Sequence, residues 1–284
     1  MTFVMKFLRI LHPTSLFSSL SDLRLLASRK LVKSLLKKEG LPDIATSASM
    51  FLKDDINALG VKFRTVVNFP EEYILPQINR KILKLENLDI DKFGIVNGQI
   101  RTFIRKMNWV VVNEAVEGTR ESNTDTLVDN LLRVVEFDVD PLAIRSYISA
   151  EPEFVVSKRG MALVIEGDDK HLKNVRNLTN YGETQLAAKI IACGNENVMD
   201  KVTDQIIFAM RVISMHVTFY KATIPKEYWA NLHKGLPKKH SVEIMRWPAE
   251  NGERTGLDLA NPEGRKRVLR SLVKIRQFAL GHDF

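Results

Sequence analysis

The chain has 284 residues, of which 45% are hydrophobic and 27% are charged, a composition that excludes global disorder. Its one cysteine, Cys193, excludes an intramolecular disulfide and a zinc site built from several thiolates. The net charge of +8 is concentrated at the ends: residues 1–40 hold eight Lys or Arg against two acidic residues, and residues 231–284 hold eleven against six. Basic ends suit a polyanion such as nucleic acid, and they also suit an acidic membrane surface or a targeting segment.

The N-terminal part is predicted to be a basic, mainly helical extension over residues 1–107. Leucines at helical spacing predict one or two amphipathic helices in residues 1–40, ending near Gly40. A mitochondrial presequence is the alternative, because this stretch is rich in serine and poor in acids. The apolar run Phe3–Leu11 is too short and too charged to span a bilayer. Residues 41–107 add a strand-like segment, Val61–Phe69, and a helical stretch, Leu75–Leu85.

From residue 108 onward the pattern predicts a second, α/β domain that extends to residue 284. The predicted strands are Trp109–Val112, Ala143–Ile148, Glu153–Val156, Met161–Ile165, Val212–Tyr220 and Val242–Arg246. The predicted helices are Glu121–Glu136, Glu183–Cys193, one from about Val202, and Glu263–Leu280. The order predicts a mixed central sheet flanked by helices. It excludes a pure Rossmann pattern, and there is no glycine-rich dinucleotide or Walker loop.

Acidic residues stand where the predicted strand hairpin ends. Glu153 opens one strand, and Asp168 closes the next. Paired strands lie about 5 Å apart, so carboxylates at matching heights can share a cation such as Mg²⁺. Lys170 follows two residues later on the same strand face, where it can orient or deprotonate water and stabilise phosphate charge. The alternative is that Glu166–Lys170 forms a polar turn after a buried strand.

Seven segments of the predicted α/β domain follow one another in a recognisable order: Arg120–Val128, Glu151–Val155, Asp168–Leu172, Gly182–Ala187, Arg211–Ile213, Thr218–Lys221 and Arg246–Pro248. With these segments, residues 109–280 resemble the PD-(D/E)XK nuclease superfamily, and more closely the nuclease-like domains of fungi and oomycetes, including those of Crinkler-type effectors. The resemblance predicts a restriction-endonuclease-like core.

The resemblance implies a role for each matching residue. Glu153 stands at the first metal-binding acid, where Asp is commoner, Asp168 is the second ligand and Lys170 is the catalytic lysine. Glu121 matches an additional acid of the metal site, and Gln185 matches a glutamine placed beside it. The implied cofactor is Mg²⁺ or Mn²⁺.

Gly167 departs from the pattern, because a strand is expected to continue at that position. In the alternative register Glu166 takes the acid position and Asp168 replaces the lysine, which removes the base. Glu183, at a helix start, is expected to complement the helix dipole rather than bind metal. Tyr220, with the other large aromatic residues of the C-terminal half, is expected in the core.

Basic residues near the C-terminus are the candidate contacts to phosphate groups. Lys234, Lys238 and Lys239 form a basic turn, and Arg265 and Arg267 belong to the last predicted helix. An ordinary solvated surface is the alternative for both groups. In a nuclease they would position the nucleic acid without reading its sequence.

The sequence therefore predicts a metal-dependent nuclease that acts on nucleic acid, with DNA as the expected substrate, RNA as the alternative and no membrane association. The alternatives are a catalytically inactive nucleic-acid-binding or host-interacting effector domain on the same fold, and a nucleocapsid-like RNA-binding protein. The expected location is intracellular, in the host nucleus if the chain is an effector.

Overall fold

The computed structural model describes residues 51–67, 98–116, 121–146, 154–158, 161–168, 177–198, 202–232, 236–252 and 254–281. The predicted helices of residues 1–40 and the predicted helical stretch Leu75–Leu85 lie outside these ranges. No helix in the described ranges is both long enough and apolar enough to cross a membrane.

The strands of the described ranges form one mixed sheet. They are β1 (Val61–Thr65), β2 (Leu142–Ser146), β3 (Phe154–Lys158), β4 (Met161–Asp168), β5 (Gln205–Ile213), β6 (His216–Ile224), β7 (Val242–Trp247) and β8 (Leu257–Asp258). Their order is β1-β7-β6-β5-β4-β3-β2, with β8 paired to β6. Strands β1 and β7 are parallel, as are β4 and β5, and the other neighbours are antiparallel.

Helices cover both faces of the sheet. They are α1 (Lys53–Ala58), α2 (Gly98–Val116), α3 (Glu121–Val134), α4 (Glu183–Asn197), α5 (Lys226–Leu232) and α6 (Pro262–Gly281), with irregular 3-10 turns over Asn177–Gly182 before α4. Helices α2, α3 and α6 pack on one face, which we call the first core, and α1, α4 and α5 pack on the other, the second core. Residues of β5 pack alternately into the first and the second core, because successive side chains of a strand point to opposite faces. The mixed sheet with flanking helices confirms the predicted α/β class.

The predicted strand Trp109–Val112 is wrong, because these residues belong to helix α2. Tertiary packing decides the outcome: the buried residues of α2 recur at intervals of three and four, the spacing of one helix face. They are Ile100, Phe103, Ile104, Met107 and Val110. Trp109 and Val112 lie on the opposite, exposed face.

The predicted helix from Val202 and the single strand Val212–Tyr220 are also wrong. Instead, β5 and β6 form a hairpin that turns at Ser214 and Met215. Both strands are buried on both faces, so neither shows the alternation of polar and apolar residues by which a half-buried strand is recognised. The other strands predicted after residue 140 and the helices α3, α4 and α6 are confirmed, with ends that differ by a few residues.

The N-terminal part is joined to the sheet rather than set apart from it. Strand β1 pairs in parallel with β7, with Val61 opposite Val242, and α1 packs into the second core. The boundary predicted at residues 107 and 108 falls inside α2. Strand order, which local sequence patterns do not reveal, makes β1 part of the same sheet.

Candidate active site

The carboxyl ends of β4, β5 and β7 and the amino end of β3 lie along one edge of the sheet. Because β5 runs parallel to β4 and β7 runs parallel to β5, their carboxyl ends lie at the same edge, at Asp168, Ile213 and Trp247. Strand β3 is antiparallel to β4, so its amino end, Phe154, lies there as well. We call this the Asp168 edge.

Two helices present their amino ends to the Asp168 edge. Helix α4 connects the carboxyl end of β4 to the amino end of β5, so it begins at that edge. Helix α3 ends near the opposite edge, since the chain turns after it into β2, whose first residue Leu142 pairs with the last residue of β3, Lys158. The amino end of α3, Glu121, therefore faces the Asp168 edge.

The topology places the chain segments that carry the predicted metal site at the same edge of the sheet, with α3 on one face and α4 on the other. Glu121 is the first residue of α3, Asp168 is the last residue of β4, and Gln185 is the third residue of α4 and half-buried. Glu153, which directly precedes β3, and Lys170 lie outside the described residues.

Gly167 does not interrupt its strand. It pairs with Arg211 of β5, and β4 continues to Asp168, which pairs with Val212. Glu166 pairs with Met210, and both Met210 and Val212 belong to the first core. The positions of Glu166 and Asp168 are thus equivalent in the sheet, and the two registers considered for the acid position remain alternatives.

In the described ranges no three His, Cys, Asp or Glu side chains lie together as a metal site would require. The predicted set is not among the side chains that this statement covers: Glu153 lies outside those ranges, and only the backbone of Glu121 and Asp168 is described. Carboxylate oxygens are the ligands that Mg²⁺ and Mn²⁺ prefer, so the chemistry of Glu121, Glu153 and Asp168 fits such an ion.

A buried ion pair fixes the start of α4 at the Asp168 edge. Glu183, the first residue of α4, is fully buried, and Arg246 Nη1 lies 2.7 Å from its Oε1. The hydroxyl of Tyr220 donates to the same oxygen over 3.0 Å, and Asn180 Nδ2 donates to Oε2 over 2.6 Å. Arg246 Nη2 also donates to the carbonyl of Ala249 at 2.9 Å. Glu183 therefore has polar partners for both carboxylate oxygens, and its expected interaction with the helix dipole stays a prediction.

A second arginine holds the turn that precedes α4. Arg211, which is 1% exposed, donates from Nη1 to the carbonyl of Tyr181 at 2.7 Å and to Oδ1 of Asn251 at 2.8 Å. Asn180 and Tyr181 have φ angles of 51° and 52°, a left-handed conformation that is unfavourable for Tyr. The hydrogen bonds from Arg211 stabilise this conformation, and so fix where α4 begins.

The tyrosine of this cluster titrates far from its ordinary range. Burial raises the pKa of the Tyr220 hydroxyl well above its ordinary value; the Arg211 cation opposes this shift, and the Glu183 carboxylate adds to it. Tyr220 is therefore a neutral hydrogen-bond donor at physiological pH. Its burial confirms that it belongs to the core.

Arg265 does not lie on the surface as predicted for a phosphate contact. It is fully buried, and its Nη1 donates to the carbonyls of Leu259 and Ala260 over 2.9 and 3.3 Å. Burial also lowers the pKa of this guanidinium, with Asp258 opposing the shift. Its position on α6 faces the first core, so it supports the preceding loop.

The other described candidates for phosphate contacts are exposed. Lys238 and Lys239 lie on the surface, and Arg267 is exposed with its guanidinium 5.1 Å from the ring centre of Trp247. Trp247 ends β7, so this cation–π contact places Arg267 near the Asp168 edge. Lys234 lies outside the described residues.

Sequence reasoning assigned no role to Arg211, Arg246 and Asn251. An arginine within the apolar run of β5 was the one available signal, because a buried arginine requires partners. The partners themselves are distant in sequence, and only the fold brings them together.

No protein-family model matches the chain, and no curated protein matches it.

Proposed function

We propose that this protein is a divalent-metal-dependent nuclease of the PD-(D/E)XK type that hydrolyses phosphodiester bonds of DNA or RNA. The observation that supports the proposal is the position of four chain segments at the Asp168 edge. The amino ends of α3, β3 and α4 and the carboxyl end of β4 are the segments in which the resemblance puts the four metal-site and support residues. A helix, three antiparallel strands, a helix and a parallel strand follow in chain order, as in the expected core.

In this proposal Glu153 and Asp168 bind the ion with help from Glu121. A bound Mg²⁺ or Mn²⁺ would supply charge neutralisation at the phosphate and a more acidic water. Lys170 orients the attacking water and stabilises negative charge on the phosphate. Gln185 lies on a helix whose start is fixed by buried arginine contacts, so its backbone is held in place at the edge.

Exposed basic residues on the outer face of α6 favour a polyanionic substrate. Arg267 and Arg270 are exposed, Lys274 follows one turn later, and the amino end of α6 follows β8 near the Asp168 edge. Cations along this face would contact phosphates without reading sequence. Together with Lys238 and Lys239 they offer an electrostatic path towards the proposed active site.

Cleavage assays with purified protein test the proposal. We expect cleavage of plasmid and single-stranded DNA in Mn²⁺ or Mg²⁺, none in EDTA, and loss of cleavage in Asp168→Ala and Lys170→Ala with unchanged thermal unfolding. Matched controls are Glu227→Ala and Lys226→Ala, which change exposed residues of α5. Glu166→Gln separates the two registers, because it abolishes cleavage only if Glu166 is the metal ligand. Cleavage that persists in EDTA, or in Asp168→Ala and Glu166→Gln combined, contradicts the proposal.

A catalytically inactive nucleic-acid-binding domain on the same fold is the second candidate. The exposed cations of α6 favour it, since binding through them needs no metal. It predicts salt-sensitive DNA binding that EDTA does not change, and no cleavage. If the resemblance to Crinkler-type domains holds, a fluorescent fusion expressed in host cells is expected to accumulate in the nucleus.

A further inference from the structure

Helix α2 exposes a row of basic and aromatic side chains that the proposed site does not use. Arg101 and Arg105 are exposed, Trp109 is 49% exposed and Val112 is 53% exposed. These residues recur at intervals of four and three, so they lie on one face of the helix, opposite the face in the first core. We call this set the α2 stripe.

The exposure of Trp109 is unusual within this protein. All three tryptophans lie in the described ranges, and the other two, Trp229 and Trp247, are 0% and 6% exposed. A half-exposed indole next to an exposed valine forms an apolar patch, and binding of a ligand to this patch would remove it from water. The α2 stripe combines two positive charges with an exposed indole and has no acidic residue. A complementary ligand therefore carries negative charge and a flat apolar group.

We propose that the α2 stripe binds a single-stranded segment of nucleic acid, with a base stacked on Trp109 and phosphates paired with Arg101 and Arg105. Unpaired bases stack on exposed aromatic side chains, and arginines follow the backbone of the same strand. In a duplex the bases are already stacked on each other, so an indole on a convex helix face gains little from it.

The direction of α2 connects the stripe to the proposed active site. Residues 117–120 join α2 to α3, and the two helices pack together, so they run antiparallel and α2 ends at the Asp168 edge. Trp109 lies roughly 10 Å from that end, and Arg101 lies about 12 Å farther away. A strand cut at the edge would extend along the stripe. The inference thus rests on the proposed function for its substrate, and it narrows that substrate to nucleic acid with an unpaired segment.

The fluorescence of Trp109 tests the inference without cleavage. The wild-type protein is titrated in EDTA with oligothymidylate, with the matching duplex, and with inorganic tripolyphosphate as a polyanion that has no bases. We expect tryptophan quenching and protection from acrylamide with oligothymidylate only. We expect Trp109→Ala to weaken oligothymidylate binding about tenfold and Arg101→Ala with Arg105→Ala to weaken it in a salt-dependent manner. The matched controls are Val139→Ala, at an exposed valine elsewhere, and Lys226→Ala.

Unchanged binding by Trp109→Ala overturns the inference, and so does equal quenching by tripolyphosphate. Protection of Trp109 that rises with protein concentration, together with a dimer in sedimentation, also overturns it in favour of a second copy. Failure of the proposed function is recognised separately. If oligothymidylate quenches the tryptophan fluorescence but the protein cleaves no nucleic acid in Mn²⁺, the α2 stripe is a binding site and the proposed nuclease activity is contradicted.

Discussion

Arg246 donates from Nη1 to Oε1 of Glu183 over 2.7 Å, and this contact ties strand β7 to the first residue of α4. The carboxylate is fully buried and the arginine side chain is 13% exposed. Removing one member of a buried ion pair leaves an uncompensated charge in a medium of low polarity, which is costly.

Loss of either partner is therefore expected to destabilise the fold strongly. We expect Glu183→Ala and Arg246→Ala each to lower the free energy of unfolding by about 3 kcal/mol, and the double variant to lose less than the sum of the two. Urea unfolding measures these changes. The matched control is the pair of Arg64 and Glu243, which are 61% and 51% exposed and whose loss is expected to cost less than about 1 kcal/mol. Equal losses at the two pairs would contradict the prediction.

Stability is expected to fall in alkaline solution because of two buried tyrosines. In an unfolded chain tyrosine loses its proton at a pH of about 10. Burial raises the pKa of Tyr220 and of Tyr228 in the folded protein, so above that pH the folded state binds more protons than the unfolded state. The free energy of unfolding therefore falls as pH rises above 10, by at most about 1.4 kcal/mol per pH unit for each tyrosine.

Urea unfolding between about pH 9 and 12 measures this slope. Tyr228→Phe is expected to remove the contribution of one tyrosine and flatten the decline, at the loss of the hydrogen bond from its hydroxyl to the carbonyl of Leu59. An identical slope in wild type and Tyr228→Phe would show that this hydroxyl does not couple to folding.

Gly194 is expected to tolerate no side chain. A Cβ at this position of α4 would lie 2.7 Å from the ring of Trp229, which is fully buried and cannot move freely. We expect Gly194→Ala to cost about 1–3 kcal/mol of unfolding free energy, although Ala favours helices over Gly. At Gly98, the first residue of α2, no atom of the described residues lies within 4 Å of an added Cβ, so Gly98→Ala serves as the control and is expected to be neutral or stabilising. A destabilised Gly98→Ala with an unchanged Gly194→Ala would refute the packing argument.

Substitution of the exposed arginines of α6 is expected to weaken DNA binding, and substitution of its buried arginine is expected to lower stability. Arg267→Ala and Arg270→Ala are expected to weaken DNA binding and each to reduce the slope of log affinity against log salt by about 1. Arg265→Met is expected to lower the thermal midpoint and leave the salt slope unchanged, because this side chain is buried against backbone carbonyls. Filter binding at several salt concentrations in EDTA measures the slopes. A changed slope in Arg265→Met would place this residue at the DNA.

Elements with a clear periodic pattern could be predicted from the sequence, and those without one could not. Helix α3 shows a single apolar face, and the sequence Lys-Arg-Gly at residues 158–160 predicts a turn between β3 and β4, so each element was predictable. Trp109–Val112 is rich in strand-forming residues, and only packing of the other α2 residues makes it helical. The turn between β5 and β6 has Ser214 at a φ of 55° rather than the usual Gly or Asn, so the hairpin gives no turn signal.

The candidate site also has features that local sequence patterns predict and features that depend on contacts between distant residues. The placement of Glu121, Asp168 and Gln185 at element ends followed from local patterns, and strand pairing then brings these ends to one edge. The contact between Glu183 and Arg246 spans 63 residues and depends on the β6–β7 pairing. Local sequence contains no signal for it, and the burial of Arg265 likewise depends on how α6 lies against the sheet.

The parallel pairing of β1 with β7 also bears on how this protein can be divided. A fragment that starts at residue 108 would begin in the middle of α2 and lack both α1 and β1. Strand β7 would then offer an uncovered row of backbone amides and carbonyls, and such a strand invites intermolecular pairing and aggregation. The smallest unit expected to keep β7 covered therefore starts before Phe51, well upstream of every residue proposed to take part in cleavage.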